Sequence, residues 1–198
     1  MFASDKSFNN IKVHTQYSIC EGAVKIDELA EHCKTNKIKS IGLADSFNLC
    51  GALEFSEKIS KVGTHPIIGS QINLKVGGTI GKVTLYAKTN QGIKNLTKLS
   101  SISYLKSNQT EEPACEINDL VSNNHDLILL TGNQRDFFGK LFYENKIKIF
   151  NEIINVLKKN FDNRIYFEVQ RHNEIDEKNY ENFIPVSYTH LRAHETTN

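Results

Sequence analysis

The chain has 198 residues, 39% of them hydrophobic and 24% charged, the composition of one ordinary globular domain. Lys and Arg (24) nearly cancel Asp and Glu (23), which argues against a strongly basic nucleic-acid-binding domain and against an acidic tail. No apolar run is long enough to span a membrane, and the first residues lack the pattern of a secretory signal, so a cytoplasmic setting is expected. Cys20, Cys33, Cys50 and Cys115 show no CxxC spacing, which fits reduced thiols better than a disulfide framework or a zinc site. Lys (20), Asn (21) and Ile (21) are over-used together. All three have A- and T-rich codons, so surface lysines and asparagines carry little functional meaning here.

In chain order, a first strand is expected over Ile11 to His14. A helix follows over Lys25 to Asn36, because Ile26, Leu29, Ala30 and Cys33 recur at i, i+3, i+4, i+7. Ile38 to Ala44 reads as a strand with Ile41 and Leu43 buried. Ala52 to Val62 reads as a helix with Ala52, Phe55, Ile59 and Val62 inward, stopped by Gly63. His65-Pro66 is read as punctuation before a strand over Ile67 to Val76. Gly77-Gly78 is a turn, and Val83 to Ala87 a strand.

Gln91 to Leu105 is predicted helical, with Ile93, Leu96 and Leu99 on one side. Lys106 to Ala114 is polar and contains Pro113, so it reads as a loop before a short helix over Ile117 to Val121. Leu127 to Thr131 is a wholly apolar strand closed by Gly132, as expected of a strand covered on both faces. Asp136 to Asn145 and Lys148 to Asn160 read as helices, and Ile165 to Gln170 as a last strand. Strands alternating with helices give an α/β fold with a mainly parallel sheet, open or closed into a barrel.

Val186 to Asn198 contains no Lys and no Ile, unlike the rest of the chain. VSYTHL resembles a translated sequencing adapter, so residues 186–198 are read as a non-native tail and set aside from the fold. His190 and His194 stand at i, i+4, a spacing that binds metal on a helix, but no HExxH motif accompanies them.

Three segments carry polar residues at expected strand ends, where α/β folds place their sites. They are His14-Thr15-Gln16-Tyr17-Ser18 with Glu21, Ala44-Asp45-Ser46-Phe47-Asn48-Leu49-Cys50-Gly51, and Pro66-Ile67-Ile68-Gly69 with Gln71. Taken alone, a strand-end His14 is more often a hydrogen-bonded structural residue than a ligand.

Together with Tyr166-Phe167-Glu168-Val169-Gln170-Arg171-His172, these motifs resemble the N-terminal PHP domain of bacterial DNA polymerase III alpha subunits. The resemblance runs from about Phe8 to Phe183. It implies a distorted (β/α)7 barrel, incomplete here at its C-terminal end, with residues 1–185 as a partial PHP domain. An incomplete barrel exposes a strand edge, so marginal stability or aggregation is expected of the isolated chain. In active members of the superfamily, strand-end His, Asp, Glu and sometimes Cys residues hold three metal ions. Such ions generate a hydroxide and hydrolyse phosphoesters.

On that pattern the ligand set is degraded. His14, Glu21, Asp45 and His172 remain. Lys12, Ser46, Gln71 and Asn133 stand where the family has ligands, and the final Asp and His fall beyond the chain. An ammonium about 4 Å from a divalent ion costs about 8 kcal/mol at an effective dielectric near 20. Lys12 is therefore expected either to neutralise Asp45 or Glu21, or to point into solvent.

The resemblance implies a non-catalytic portion of a polymerase. It would support the subunit and dock the proofreading exonuclease beside other replicase subunits, meeting DNA only through the parent protein. It implies no cofactor for this portion, Mg2+ for the parent's polymerase domain and no membrane partner. The alternative is a metal-dependent PHP phosphoesterase.

Overall fold

A computed structural model describes residues 9–108, 112–171, 177–187 and 193–196, the last stretch and residues 185–187 by backbone alone. The chain divides into two compact units, Met1–Ser70 and Gln71–Asn198.

The first unit holds helix α1 (Ile26–Thr35), strand β1 (Ser40–Ser46), helix α2 (Ala52–Lys61) and the start of strand β2 (His65–Val76). The helix stripes are those expected. Ile26, Leu29, Ala30 and Cys33 of α1 pack with Phe55 and Ile59 of α2 and with Ile41 and Leu43 of β1. Gly63 ends α2 with φ +83°, the left-handed turn that glycine adopts without a Cβ penalty. His65 and Pro66 lie inside β2 rather than before it; proline is tolerated at a strand's first positions.

The expected first strand is reduced to a single bridge, Val13 to Leu43, parallel to β1. Gly42 N–H donates to Asn10 O, Val13 N–H to Gly42 O and Ala44 N–H to Val13 O at 2.9–3.0 Å. The chain then turns through Ser18 N–H to Thr15 O, which ends the pairing. Gly42 makes the approach possible, because a Cβ there would lie 2.0 Å from Ile11 O.

The second unit holds the rest of β2, then β3 (Thr79–Ala87), α3 (Asn90–Lys106), β4 (Ala114–Cys115), α4 (Ile117–Ser122) and β5 (Leu127–Leu130). Next come α5 (Phe137–Tyr143), α6 (Ile147–Phe161), a 3-10 turn (Asp162–Arg164), β6 (Ile165–Gln170), α7 (Glu177–Ser187) and β7 (Ala193–Thr196). Within it the strands follow the order β2-β3-β5-β6-β7, with β4 beside β2.

The sheet is mainly parallel, as expected, with an antiparallel pairing at β3; β7 runs parallel to β6. β4 runs parallel to β2 and β6 parallel to β5, but β3 runs antiparallel to β5. The cause is the two-residue turn: Gly77 and Gly78 take φ +57° and +78°, the conformation that reverses a chain within one hairpin. Pairing therefore starts at Thr79, four residues before the expected strand. Ala114 and Cys115, expected as loop end, pair with Asn73 and Leu74.

α6 buries Phe150, Ile153, Ile154 and Leu157, as its periodicity predicts, together with Phe161. Phe137, Phe138 and Phe150 meet edge to face at 5.2 and 5.3 Å.

α7 and β7 also fall where no element was expected. β7 pairs in parallel with β6, from Phe167↔Ala193 to Gln170↔Thr196. Residues 193–196, set aside at first, thus join the sheet. Backbone pairing along a free strand edge needs no particular side chains. His194 lies in this strand, so a helical i, i+4 pair is not formed; His190 lies outside the described residues. Among the described residues no helix is long and apolar enough to cross a membrane.

Gly42→Ala is expected to destabilise the chain by about 1–3 kcal/mol, the usual cost of overpacking, because its methyl meets backbone rather than a movable side chain. A urea melt of the variant against wild type measures it.

Candidate functional site

Five of the predicted site residues lie in the first unit. Asp45, at the end of β1, is fully buried. Its side chain accepts the Thr15 N–H at 2.6 Å, the Thr15 hydroxyl at 2.7 Å and the Ser18 hydroxyl at 2.6 Å. Burying a carboxylate costs several kcal/mol. Hydrogen bonds to such a group return about 1.5–3 kcal/mol each, so three well-placed donors offset that cost. All these donors are neutral. Thr15 and Ser18 occupy both of its oxygens.

The neighbouring residues extend this cluster. Ser18 Oγ also accepts the Ser46 N–H at 3.1 Å. The Ser46 hydroxyl donates to Glu21 Oε2 at 2.5 Å, which brings two of the predicted positions together. His14 is half-buried, with Nδ1 3.5 Å from Ser18 Oγ. Ser18, His14 and Asp45 do not form a nucleophilic relay. The serine hydroxyl is fully buried and donates directly to the carboxylate, leaving no histidine between them. Lys12 is half-buried, and its backbone N–H donates to Asn10 Oδ1 at 3.2 Å.

The loop after β1 is held rigidly. Phe47 takes φ +63°. The Asn48 amide donates to Tyr17 O and Ser46 O, both at 2.9 Å, and its carbonyl accepts the Cys50 N–H at 3.0 Å. Ser70 Oγ donates to Asp45 O at 2.8 Å and Asn48 O at 3.0 Å. Tyr17 donates to Glu54 at 2.7 Å.

In the second unit, Gln71 is buried and its amide reaches Thr84 Oγ1 at 3.4 Å. Asn133 donates to Gln170 Oε1 at 2.7 Å, and the Gln170 amide donates in turn to Glu168 Oε1. Glu168 is fully buried on β6. Burial first, and the Glu168 charge second, push the Tyr86 hydroxyl well above its usual range. A shallow cleft beside this row is lined by Asn133, Glu168, Gln170, Glu177, Tyr180 and Glu181. His172 lies outside the described residues. All four cysteines are free, and burial pushes the Cys115 thiol up to about 12, an unreactive value.

Sequence reasoning missed Thr15, Ser18, Glu168 and Gln170 as working residues. All four stand inside the quoted motifs, and that membership is the signal that was available.

The donor set does not fit a trinuclear metal centre. Lys12, Ser46, Gln71 and Asn133 bring an ammonium, a hydroxyl and two amides, poor donors to a divalent ion beside imidazole and carboxylate. Among the described residues no three His, Cys, Asp or Glu side chains come together to hold an ion.

Thr15→Val removes one donor from the buried Asp45 and is expected to cost about 1–3 kcal/mol, the penalty of an unsatisfied buried acceptor. Thr15→Ser, which keeps the hydroxyl, should fall between that variant and wild type in a thermal melt.

Comparison with known proteins gives three results. The chain is 33% identical over 178 residues to the DNA polymerase III subunit alpha of Caulobacter vibrioides, covering 86% of this chain and 16% of that protein. The same subunit of Escherichia coli is 27% identical over 180 residues, covering 89% and 16%. The chain thus spans about 16% of the length of these curated relatives. In structure, it is similar to a Bifidobacterium adolescentis protein described as a metal-dependent phosphoesterase. The TM-score is 0.59 at 11% identity, covering 96% of this chain and 86% of that one. An amidohydrolase from Chromobacterium violaceum gives the same TM-score of 0.59 at 10% identity, with the same coverage of 96% and 86%. At such identities the likeness shows a shared fold. The family model for the PHP domain matches residues 10–172, which takes in the Asp45 cluster and the Asn133–Gln170–Glu168 row, and the chain belongs to that family.

Proposed function

We propose that this chain is the PHP portion of a bacterial replicative polymerase, the DNA polymerase III alpha subunit, and that it carries no catalytic centre of its own. The observation behind this reading is the alignment. Subunits of that name match 83–94% of the chain, while the chain spans only about 16% of them. Template-directed DNA synthesis, with its Mg2+, then belongs to the parent protein outside these residues. The PHP portion supports the subunit and docks the proofreading exonuclease within the replicase. Near-neutral charge suits a protein-facing role better than direct grip on a duplex, which needs many phosphate-neutralising cations. DNA is met through the parent, in the cytoplasm.

The second reading is a metal-dependent phosphoesterase. The fold shared with the Bifidobacterium protein favours it. Fold alone does not carry activity, and the substituted donors at 12, 46, 71 and 133 speak against it.

Two measurements separate the readings. The purified chain, given Mn2+ or Zn2+, is expected not to hydrolyse an aryl phosphate; turnover on addition of metal would favour the phosphoesterase. In the full-length subunit, His14→Ala with Glu21→Gln should leave primer extension within about twofold of wild type. A loss of about a hundredfold or more, the scale of a removed acid–base group, would put catalysis in these residues.

A further inference from the structure

We infer that Ser46 is a positioning residue whose hydroxyl holds the Glu21 carboxylate, so that the first unit closes on a hydroxyl–carboxylate bond and takes up no divalent ion. This rests on the non-catalytic reading above and specifies how the site is closed.

Three observations carry it. First, Ser46 is buried at the end of β1 while Glu21 is exposed in the turn before α1, and the Ser46 hydroxyl donates directly to Glu21 Oε2. Second, Ser46 is itself fixed from behind, because its N–H donates to Ser18 Oγ, which is tied to Asp45. The hydroxyl is thus presented from a rigid frame rather than from a mobile chain. Third, Asp45 has its two oxygens filled by Thr15 and Ser18, so binding an ion there means breaking bonds inside the core.

The chemistry follows from charge. A cation neutralises a carboxylate and demands further anionic or imidazole ligands in its shell. A hydroxyl only donates one proton to it and asks for nothing else. Serine at 46 therefore satisfies Glu21 without building a site. The end of β1 is tied to the turn carrying residue 21 by a hydrogen bond, independent of metal supply.

The test combines metal content with a double-mutant cycle on the purified chain. Wild type is exposed to excess Mn2+ or Zn2+, desalted and analysed by mass spectrometry. It is melted in parallel in EDTA and in metal. Ser46→Ala, Glu21→Ala and the double variant are melted in EDTA. The expected result is no retained ion, identical wild-type melts with and without metal, and a folding equilibrium constant about tenfold lower in each single variant, the weight of one bond to a charged group. The double variant should be no less stable than the weaker single one. Because Glu21 is exposed, its variants fold even where Ser46→Ala does not. In that case Glu21→Gln, which keeps an acceptor oxygen, should remain closer to wild type than Glu21→Ala.

Stoichiometric retained metal, or a melt raised by Mn2+, would overturn the inference. Combined with aryl-phosphate turnover it would overturn the non-catalytic reading as well; without turnover that reading stands. Additive losses in the cycle, or Glu21→Gln as damaging as Glu21→Ala, would overturn the Ser46–Glu21 bond alone.

Discussion

The first unit is organised around one buried carboxylate. Asp45 ends a strand that is buried along nearly its whole length, and water does not reach its oxygens. Three donors are required there, and the sequence places all of them within four residues, at Thr15 and Ser18. Satisfying Asp45 therefore docks the turn of residues 15–18 onto β1. Once that turn is docked, Ser18 Oγ is positioned to accept the Ser46 N–H. Ser70, from β2, then donates to the Asp45 carbonyl. The lone Val13 bridge would be a weak attachment for the N-terminal segment. The Asp45 bonds supply what the missing ladder does not.

Much of the fold was legible because burial imposes a period. α1, α2 and α6 show their apolar stripes plainly, and each stripe faces a core. Gly63 and the Gly77-Gly78 pair announce themselves because only glycine takes those dihedrals freely. What the period does not encode is strand direction and partner. β3 was placed correctly as an element but shortened, since Thr79 to Lys82 alternate too weakly to show a strand that the hairpin enforces. β4 and β7 are short and held by backbone bonds to a neighbouring edge, so their side chains give little warning.

The candidate site was legible in a different way. Identity alone reveals that Lys12, Ser46, Gln71 and Asn133 are poor metal ligands, because donor chemistry belongs to the residue type. What those side chains do instead depends on neighbours brought together by the fold. Ser46 meets Glu21 across 25 positions, and Asn133 meets Gln170 across 37. Neither distance carries a local pattern. The same holds for Asp45, whose donors lie 27 and 30 residues away.

Each unit buries an acid on a strand. In the first, hydroxyls and one backbone amide face Asp45. In the second, the Gln170 amide donates to Glu168, and Asn133 fixes the other end of that same amide. Each acid accepts from a neutral group that is itself anchored by another bond. A fold shared with a protein described as a metal-dependent phosphoesterase thus places strand ends without dictating what occupies them. Strand-end carboxylates are costly to bury whatever the activity. Some donor must face them, and the choice between cation and hydroxyl is made by a few side chains that the rest of the core does not constrain. Leu43, Phe55 and Ile59 pack with one another in the apolar core, whatever donors face Asp45. The architecture alone therefore does not decide the chemistry at its strand ends.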